Sequence, residues 1–201
     1  MKVRNATYDD VERIVEIHIN AFKGFFLTFL GPKFLRLLYT GFIDKGVLRV
    51  AVVDSKVIGF SAGTEQPDVF FSNLRKEKGL SFFLAAVPSL IKKTSLVIRK
   101  LYGALFYKGD SVERLNNSFL LSSLAVDPHS EGKGIGKFLI NDLNEILYEK
   151  KTSETVYLIT DKNENGSVLG FYNKCGFSVE SEFKQSGQRE MLRLTKSIEV
   201  V

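Results

Sequence analysis

The chain has 201 residues, of which 44% are hydrophobic and 25% are charged, so it is long enough to bury a sizeable core within one domain. Its net charge of +5 and pI near 9.2 are only mildly basic, and without a dense pattern of basic and aromatic residues they do not predict nucleic-acid binding. A single cysteine excludes an internal disulfide, and two histidines beside it provide no metal-ligand cluster.

The amino end of the chain predicts a short strand followed by a helix. Lys2–Asn5 is typical of an edge strand, and Thr7 with an acidic residue three positions later predicts a helix start. One face of that helix carries Val11, Val15, His18 and Phe22. On this face we expect His18 to be packed or singly hydrogen-bonded rather than catalytic. The first ten residues contain no apolar signal region, so we expect a cytoplasmic protein.

A second helix and a hairpin follow. Pro32 suits the first turn of a helix that runs through Phe42. Val47–Val53 and Val57–Ala62 are β-branched apolar runs, which predict two antiparallel strands joined by a short turn.

Residues 66–117 are too long for an unstructured connection in a compact domain, and their patterning is helical. Leu80–Val87 is apolar on all sides, and Pro88 is expected to break or begin a helix. A further helical stripe consists of Ile98, Leu101, Tyr102 and Leu105. No apolar stretch approaches the ~20 residues needed to span a bilayer.

The stretch from Phe119 to Lys150 predicts a strand, a glycine-rich turn and a helix. The apolar run ends at Val126, and the turn after it contains Gly132, Gly134 and Gly136. The helix is indicated by apolar residues at Ile135, Leu139, Leu143, Ile146 and Leu147. Backbone N–H groups at a helix start have no helical partner, and glycines let a phosphate approach them closely. We therefore predict a phosphate site at this turn.

Two common phosphate motifs do not fit the turn. A Walker A loop requires glycine and Ser or Thr where the chain has Glu131 and Phe138. A dinucleotide fingerprint requires glycine where the chain has Lys137 or Leu139, depending on the register.

A second pattern lies towards the carboxyl end. Thr155–Thr160 predicts a buried strand, and Asn165 follows it ahead of a short helix that contains Phe171 and Tyr172. Cys175 in this region is expected to pack in the core rather than act as a nucleophile. A final hairpin is predicted for Phe177–Phe183 and Arg189–Leu194, which flank Ser186 and Gly187.

Together these two patterns resemble the GNAT superfamily of acetyl-CoA-dependent N-acetyltransferases. The family motif Gln/Arg-x-x-Gly-x-Gly/Ala follows a strand that ends in a Leu-Ala-Val-Asp-Pro-like run, as Leu124–Pro128 does. Gly134 and Gly136 match the motif, but Glu131 replaces its first residue. The second part of the resemblance is an asparagine, a short helix with Phe-Tyr, and then Gly-Phe, as in residues 165–177.

The resemblance implies an α/β fold, within a single domain of residues 1–201. Its central, mostly antiparallel mixed sheet would be splayed between the fourth and fifth strands, with helices on both faces. Residues 66–117 would then be a helical insertion between the third and fourth strands.

The resemblance also implies acetyl-CoA as co-substrate, no metal, and a set of site residues. The residues expected to hold acetyl-CoA are Leu124, Ala125, Val126, Glu131, Gly132, Lys133, Gly134, Ile135, Gly136, Lys137, Asn165 and Tyr172. Tyr172 would also protonate the leaving thiolate. For the general base the alternatives are Glu65, His18 or a water chain. Phe25, Phe26 and Phe29 either border the acceptor site or pack in the core.

The function expected from this resemblance is transfer of an acetyl group from acetyl-CoA to a primary amine of a small molecule by direct attack. The alternatives are a catalytically idle acyl-CoA-binding regulatory module, which Glu131 favours, and an acetyltransferase for protein or peptide amines. We expect a monomer or homodimer without a nucleic-acid partner.

The basic excess of the chain is local to the insertion. Residues 75–108 contain eight basic residues and one acidic residue, a net charge of +7 compared with +5 for the whole chain. They could form a solvated face, a wall of the acceptor site that attracts an acidic substrate such as a nucleotide-linked amino sugar, or a surface that docks on anionic lipid. We favour the acceptor wall over membrane contact, because an insertion at this point of the chain can reach over the open site.

Overall fold

The computed structural model describes residues 1–91, 115–185 and 189–199. The seven strands of one sheet are β1 Lys2–Asn5, β2 Val47–Val53, β3 Lys56–Thr64, β4 Ser118–Val126, β5 Thr155–Asp161, β6 Ser178–Gln185 and β7 Arg189–Ser197. The α-helices of the described residues are α1 Val11–Ala21, α2 Phe26–Leu30, α3 Pro32–Lys45, α4 Pro67–Ile91, α5 Ile135–Lys150 and α6 Gly166–Lys174. Short 3-10 helices cover Tyr8–Asp10 and Pro128–Ser130.

The strands are arranged in the order β1-β2-β3-β4-β5-β7-β6, with β1 at one edge as predicted. β4 and β5 are parallel neighbours, and each of the other neighbouring pairs is antiparallel. Parallel neighbours require a crossover, and α5 provides it. The mixed α/β class and the mostly antiparallel sheet are therefore confirmed.

The turn between β2 and β3 contains two residues, Asp54 and Ser55, with φ angles of +47° and +62°. Val53 and Lys56 are the last paired residues on either side of it. Two consecutive residues with positive φ form the turn geometry that matches the right-handed twist of a hairpin. The sequence predicted the two strands but not this turn type.

Helices cover both faces of the sheet, as the resemblance implied. On one face α1, α3 and α4 pack over the central strands, and the buried residues there include Leu35, Phe42, Val50 and Phe60. On the other face α5 and α6 enclose a second apolar cluster with β4 and β5. Gly63 allows the close approach of β4, because a Cβ at Gly63 would lie 2.2 Å from Phe119 and 2.3 Å from the Leu120 carbonyl oxygen.

The connection from β3 to β4 begins with a 25-residue helix, α4, which packs on α3. We expected Pro88 to break or begin a helix, and this was wrong, because α4 continues through Pro88 to Ile91. Pro88 lies in the last turn of α4, where the missing N–H of proline removes one helical hydrogen bond. The stripe from Ile98 to Leu105 and the turn at Ser186 and Gly187 lie outside the described residues.

Within α4, apolar residues point in two directions. Phe82 and Ala86 are buried against the core, whereas Leu80, Phe83 and Leu84 are exposed. Across the described ranges, no helix combines the length and the hydrophobicity needed to cross a membrane.

Candidate functional site

The central strands part from each other halfway along β4. β4 and β5 are paired at Ser118, Phe119 and Leu120, whose partners on β5 are Thr155 to Tyr157. β4 continues to Val126, while the rest of β5 pairs only with β7 in the described register. The predicted gap between the fourth and fifth strands is therefore present, and it opens towards the carboxyl end of β4.

A β-bulge lies where this gap begins. Ala62 pairs with Ser123 and Gly63 pairs with Leu121, so Ser122 is an extra residue on β4. One extra residue reverses the alternation of side chains along the strand. Leu121 therefore belongs to the cluster under α5 and α6, whereas Ala125 belongs to the cluster under α1 and α3.

The backbone N–H groups after the bulge alternate between β3 and the gap. Asp127 donates its N–H to the carbonyl oxygen of Ile58 at 2.8 Å. This bond determines which residues of the antiparallel ladder point their N–H groups at β3 and which point them away. In this pattern Ala125 also pairs with β3, and the N–H groups of Leu124 and Val126 point towards the gap. Of the three backbone positions predicted from the resemblance, two therefore face the gap and Ala125 faces β3.

The glycine turn follows at the open end of the gap. Gly132 and Gly134 have φ angles of +77° and +73°, and a Cβ built on either would meet no heavy atom within 4 Å. The first helical hydrogen bond of α5 runs from the N–H of Phe138 to the carbonyl oxygen of Gly134 at 3.0 Å. Helix geometry leaves the N–H groups of residues 135–137 without helical partners, so they can bind an anion. The side chains of Glu131, Lys133 and Lys137 are exposed around this cradle.

Gly136 has a different role from the other two glycines. A Cβ at Gly136 would lie 2.9 Å from Cζ of Phe171, so glycine at this position lets the start of α5 pack against α6. The sequence identified the glycine but did not indicate Phe171 as the residue that requires it.

Asp127 anchors the start of the turn. Its carboxylate accepts a hydrogen bond from the N–H of His129 at 3.0 Å and forms an ion pair with Arg13 of α1. The His129 N–H, together with Arg13, lowers the pKa of Asp127. Arg13 also donates to the carbonyl oxygen of Val57 at 3.1 Å, so α1, β3 and the turn are held together. The role of Arg13 depends on a contact 114 residues away and had no sequence signal.

Asn165 closes the turn between β5 and α6. Its side-chain nitrogen donates to Oγ1 of Thr160 at 2.7 Å and to the carbonyl oxygen of Asp161 at 2.8 Å. Because the nitrogen is engaged, a bound ligand would contact Asn165 through its amide oxygen.

Tyr172 lies in the apolar cluster under α5 and α6 and is only 9% exposed. Its ring packs edge-on against Phe171 and Phe177, with centroid distances of 5.1 and 5.4 Å. Burial raises the pKa of Tyr172 far above its ordinary value, so it stays protonated at neutral pH. Among the described residues its hydroxyl has no hydrogen-bond partner, which leaves it able to donate to a ligand. Cys175 is buried in the same cluster, as predicted, and burial raises the pKa of its thiol.

The two side chains considered as general bases lie elsewhere. Glu65 follows Thr64, which pairs with Leu120 where β4 is still paired with β5. The carboxylate of Glu65 accepts a hydrogen bond from Thr152 at 2.8 Å. His18 is buried in the core beneath α1 and α3, as predicted, and its Nδ1 lies 2.6 Å from the hydroxyl of Tyr39. Burial lowers the pKa of His18 to about 4.

The three phenylalanines considered for the acceptor site lie at and within α2. Phe25 is exposed and packs edge-on against Phe22, at a centroid distance of 5.5 Å. Phe26 and Phe29 are half-buried, and Phe26 packs against the core.

A cavity of about 610 Å³ does not coincide with the gap. It is lined by residues such as Thr155, Gly176 and Thr195, at the end where β4 and β5 are still paired. We assign the site from the backbone geometry of β4 and the turn, because these groups have the chemistry that a phosphate and a carbonyl oxygen require.

Comparisons with known proteins agree with this geometry. The family model for the acetyltransferase (GNAT) domain matches residues 94–179. The probable spermine N(1)-acetyltransferase of Bacillus subtilis subsp. natto is 26% identical over 102 residues, a match that covers 44% of this chain and 66% of that protein.

Solved structures of acetyltransferases have the same fold along the whole chain. The alignment with one acetyltransferase crystal structure has a TM-score of 0.65 at 18% identity. It covers 99% of this chain and 100% of the chain in that crystal structure. The paia N-acetyltransferase of Thermoplasma acidophilum, solved in complex with coenzyme A, has a TM-score of 0.59 at 16% identity and covers 98% of both chains. The chain is therefore similar to acetyltransferases of the GNAT superfamily, by the family model over residues 94–179 and by its fold.

Proposed function

We propose that the protein transfers an acetyl group from acetyl-CoA to a primary amine of a small molecule, by direct attack of the amine on the thioester. The observation that carries this proposal is the gap beyond Leu120, which two backbone N–H groups face and which opens at the glycine turn. Direct attack requires no nucleophile from the protein, which agrees with the burial of Cys175.

In this proposal the glycine turn binds the pyrophosphate of acetyl-CoA. The N–H groups of residues 135–137 and the positive end of the α5 dipole attract the phosphates. Gly132 and Gly134 leave room for them, since no atom lies within 4 Å of a Cβ built on either residue. Lys133 and Lys137 offset the unfavourable charge of Glu131. Asn165 holds the pantetheine arm through its amide oxygen.

The chemistry is divided between the backbone and Tyr172. As the amine attacks, the N–H groups of Leu124 and Val126 stabilise the negative charge on the carbonyl oxygen. A C–N bond forms, the C–S bond breaks, and Tyr172 donates a proton to the leaving thiolate. Glu65 is engaged with Thr152, and His18 has a pKa of about 4, so we assign removal of the amine proton to solvent.

The finer proposal for the acceptor is a small amine that carries negative charge, such as a nucleotide-linked amino sugar. It rests on the basic excess of residues 75–108. Within α4, Lys78 is neutralised by Asp44 at 3.1 Å, and Glu77 is paired with Lys45. The other basic residues that carry this proposal lie mainly outside the described residues. A polyamine, the substrate class in the name of the relative from Bacillus subtilis, is the main competing acceptor.

A thiol-release assay with acetyl-CoA and a panel of amines tests the proposed activity. The panel should contain a phosphorylated amino sugar, a nucleotide-linked amino sugar, a polyamine and a peptide with a free amino terminus. Turnover with an acidic amino sugar supports the finer proposal, and turnover with the polyamine or the peptide replaces it. Binding of acetyl-CoA by calorimetry without turnover on a broad amine panel would instead support the regulatory module.

A charge-removal variant tests the acceptor wall. The variant replaces four basic residues of the insertion by Ser, at Lys92, Lys93, Arg99 and Lys100. We expect KM for the acceptor to rise, KM for acetyl-CoA to stay constant, and the salt dependence of kcat/KM to weaken. The matched control removes four exposed lysines elsewhere, at Lys2, Lys33, Lys56 and Lys184. Equal effects in the two variants would rule out a local wall, and lost binding to anionic vesicles in the first would favour membrane contact.

A further inference from the structure

Arg13 of α1 holds three parts of the structure at once. Its Nε donates to the carbonyl oxygen of Val57 at 3.1 Å, its Nη1 pairs with Glu16 at 2.7 Å, and its Nη2 pairs with the carboxylate of Asp127. Each nitrogen of the guanidinium group therefore has its own acceptor. Arginine offers such a rigid fork of donors, whereas the ammonium of a lysine is a single point charge.

The carboxylate that Arg13 holds shapes the first residues after β4. The side chain of Asp127 accepts the N–H of His129 at 3.0 Å, and the carbonyl oxygen of Asp127 accepts the N–H of Ser130 at 2.7 Å. These bonds support the 3-10 helix Pro128–Ser130, which leads into the glycine turn. The position of the Asp127 carboxylate therefore influences how the chain enters the turn.

Two consecutive residues of β3 provide the backbone acceptors for this arrangement. β3 has one extra residue, Ile58, relative to β2, and such a bulge disrupts the ladder locally. The carbonyl oxygen of Val57 accepts from Arg13, and that of Ile58 accepts the N–H of Asp127 at 2.8 Å. The helix α1 and the end of β4 are thus tied to the same point of the sheet.

The glycine turn depends on anchors at its two ends. Gly132 and Gly134 have positive φ angles, and glycine loses more conformational freedom on ordering than any other residue. A turn built from such residues binds a ligand well only if its surroundings order it in advance. At the far end Gly136 packs closely against α6. At the near end the anchor is the ion pair of Arg13 and Asp127.

The near anchor requires that the charge of Asp127 is balanced. Asp127 is only 7% exposed, so removal of Arg13 would leave an almost buried carboxylate without its cation. An unpaired charge in such a place is strongly unfavourable, and the side chain would turn towards solvent. The N–H of His129 would then lose its acceptor.

We propose that Arg13 is a positioning residue for the acetyl-CoA site, which holds the Asp127 carboxylate and so fixes the start of the glycine turn for phosphate binding. This inference rests on the proposed function, because it concerns the same phosphate site. Arg13 acts through Asp127 and the backbone, and it does not touch the ligand.

Arg13→Gln tests the positioning role. We expect the dissociation constant of acetyl-CoA, measured by calorimetry, to rise about tenfold. The kcat at saturating acetyl-CoA should stay close to the wild-type value, because the groups that act on the thioester are not altered. The matched control is Arg36→Gln, which breaks another ion pair of α1, the one with Glu12. This control should change neither the dissociation constant nor kcat.

A second substitution tests the charge balance by rescue. Asp127→Asn keeps an oxygen that can accept the N–H of His129, and it removes the charge. We therefore expect the double variant Arg13→Gln/Asp127→Asn to bind acetyl-CoA more tightly than Arg13→Gln alone. An affinity no better than that of Arg13→Gln would overturn the inference, since a general loss of packing gives no such recovery.

Arg13→Lys replaces the first variant if Arg13→Gln does not fold. The lysine keeps a positive charge beside Asp127 but cannot donate in three fixed directions. We expect a several-fold rise in the dissociation constant of acetyl-CoA, and an unchanged value would overturn the inference.

A measurement without ligand separates this inference from the proposed function. Amide hydrogen exchange at His129 should become several-fold faster in Arg13→Gln and stay unchanged in Arg36→Gln. A wild-type protein that binds no acetyl-CoA would refute the proposed function, while the exchange rate would still test whether Arg13 holds Asp127. Unchanged exchange together with unchanged acetyl-CoA affinity in Arg13→Gln would overturn the inference. A fall in kcat as large as the loss of affinity would also overturn it, since that pattern indicates general damage.

Discussion

Because of His18, the stability of the protein should depend on pH even at pH values above those at which its aspartates titrate. The ring is 2% exposed, and burial lowers its pKa from 6.5 to about 4. In the unfolded chain the ring regains its ordinary pKa, so between pH 6.5 and 4 the unfolded state binds a proton that the folded state does not bind. The stability that the neutral His18 ring contributes above pH 6.5 is therefore lost as the pH falls from 6.5 to about 4.

The size of the effect follows from the two pKa values. Below pH 4 the loss amounts to about 3 kcal/mol of unfolding free energy, and at pH 5 it is about 2 kcal/mol. At pH 7 it is only about 0.2 kcal/mol. Asp10 and Asp127 also have lowered pKa values, but the stability that they contribute is lost only as the pH falls to around and below their ordinary pKa of 3.8. The interval from pH 7 to pH 5 therefore isolates His18.

Urea unfolding at pH 7, 6 and 5 measures this dependence. We expect the unfolding free energy of the wild-type protein to fall by about 2 kcal/mol more between pH 7 and pH 5 than that of His18→Asn. His129→Asn removes the exposed histidine and is the matched control, which should follow the wild type. Equal pH dependence in the wild type and His18→Asn would refute the reasoning, because the buried ring would then contribute no linkage.

Three further predictions concern the gap and its surroundings. Gly134→Glu should abolish acetyl-CoA binding measured by calorimetry. The fold should lose only about 1–2 kcal/mol of stability, because a side chain at position 134 must adopt a left-handed φ. The control Gly79→Glu adds the same charge on α4 and should bind acetyl-CoA normally. Tyr172→Phe should lower kcat by about 10²- to 10⁴-fold at unchanged acetyl-CoA affinity, and a wild-type kcat in a variant whose chemical step limits the rate would return Tyr172 to a packing role. Gly63→Ala should destabilise the protein by about 1–3 kcal/mol in urea unfolding, because its Cβ would lie 2.3 Å from the Leu120 carbonyl oxygen. Gly79→Ala, with no atom within 4 Å of its Cβ, should instead stabilise the protein by about 0.5–1 kcal/mol, and the same sign in both variants would contradict the packing argument.

Local patterns in the sequence determined the secondary structure and the two motifs of the site. The spacing of apolar residues predicted α1, α3 and α5, because periodicity reports directly which face of an element is buried. Apolar runs and turn residues predicted the strands. Glycines followed by a helical pattern predicted an anion site at residues 132–137, since a helix start always carries unpaired N–H groups. The resemblance to the GNAT superfamily added the gap between the fourth and fifth strands. The burial of His18 and Cys175 also followed from their apolar surroundings in the sequence.

Only the tertiary structure decided which groups meet at the site and in which direction they point. The bulge at Ser122 and the ladder phase set by Asp127 show that Leu124 and Val126 face the gap and that Ala125 does not. Residue identity cannot give this result, because backbone N–H groups are the same at every position and their direction depends on strand register. Likewise, Phe171 is the neighbour that requires glycine at position 136, and Arg13 is the residue that pairs with Asp127. These contacts join residues distant in the chain, and their geometry exists only once the sheet and its helices have assembled.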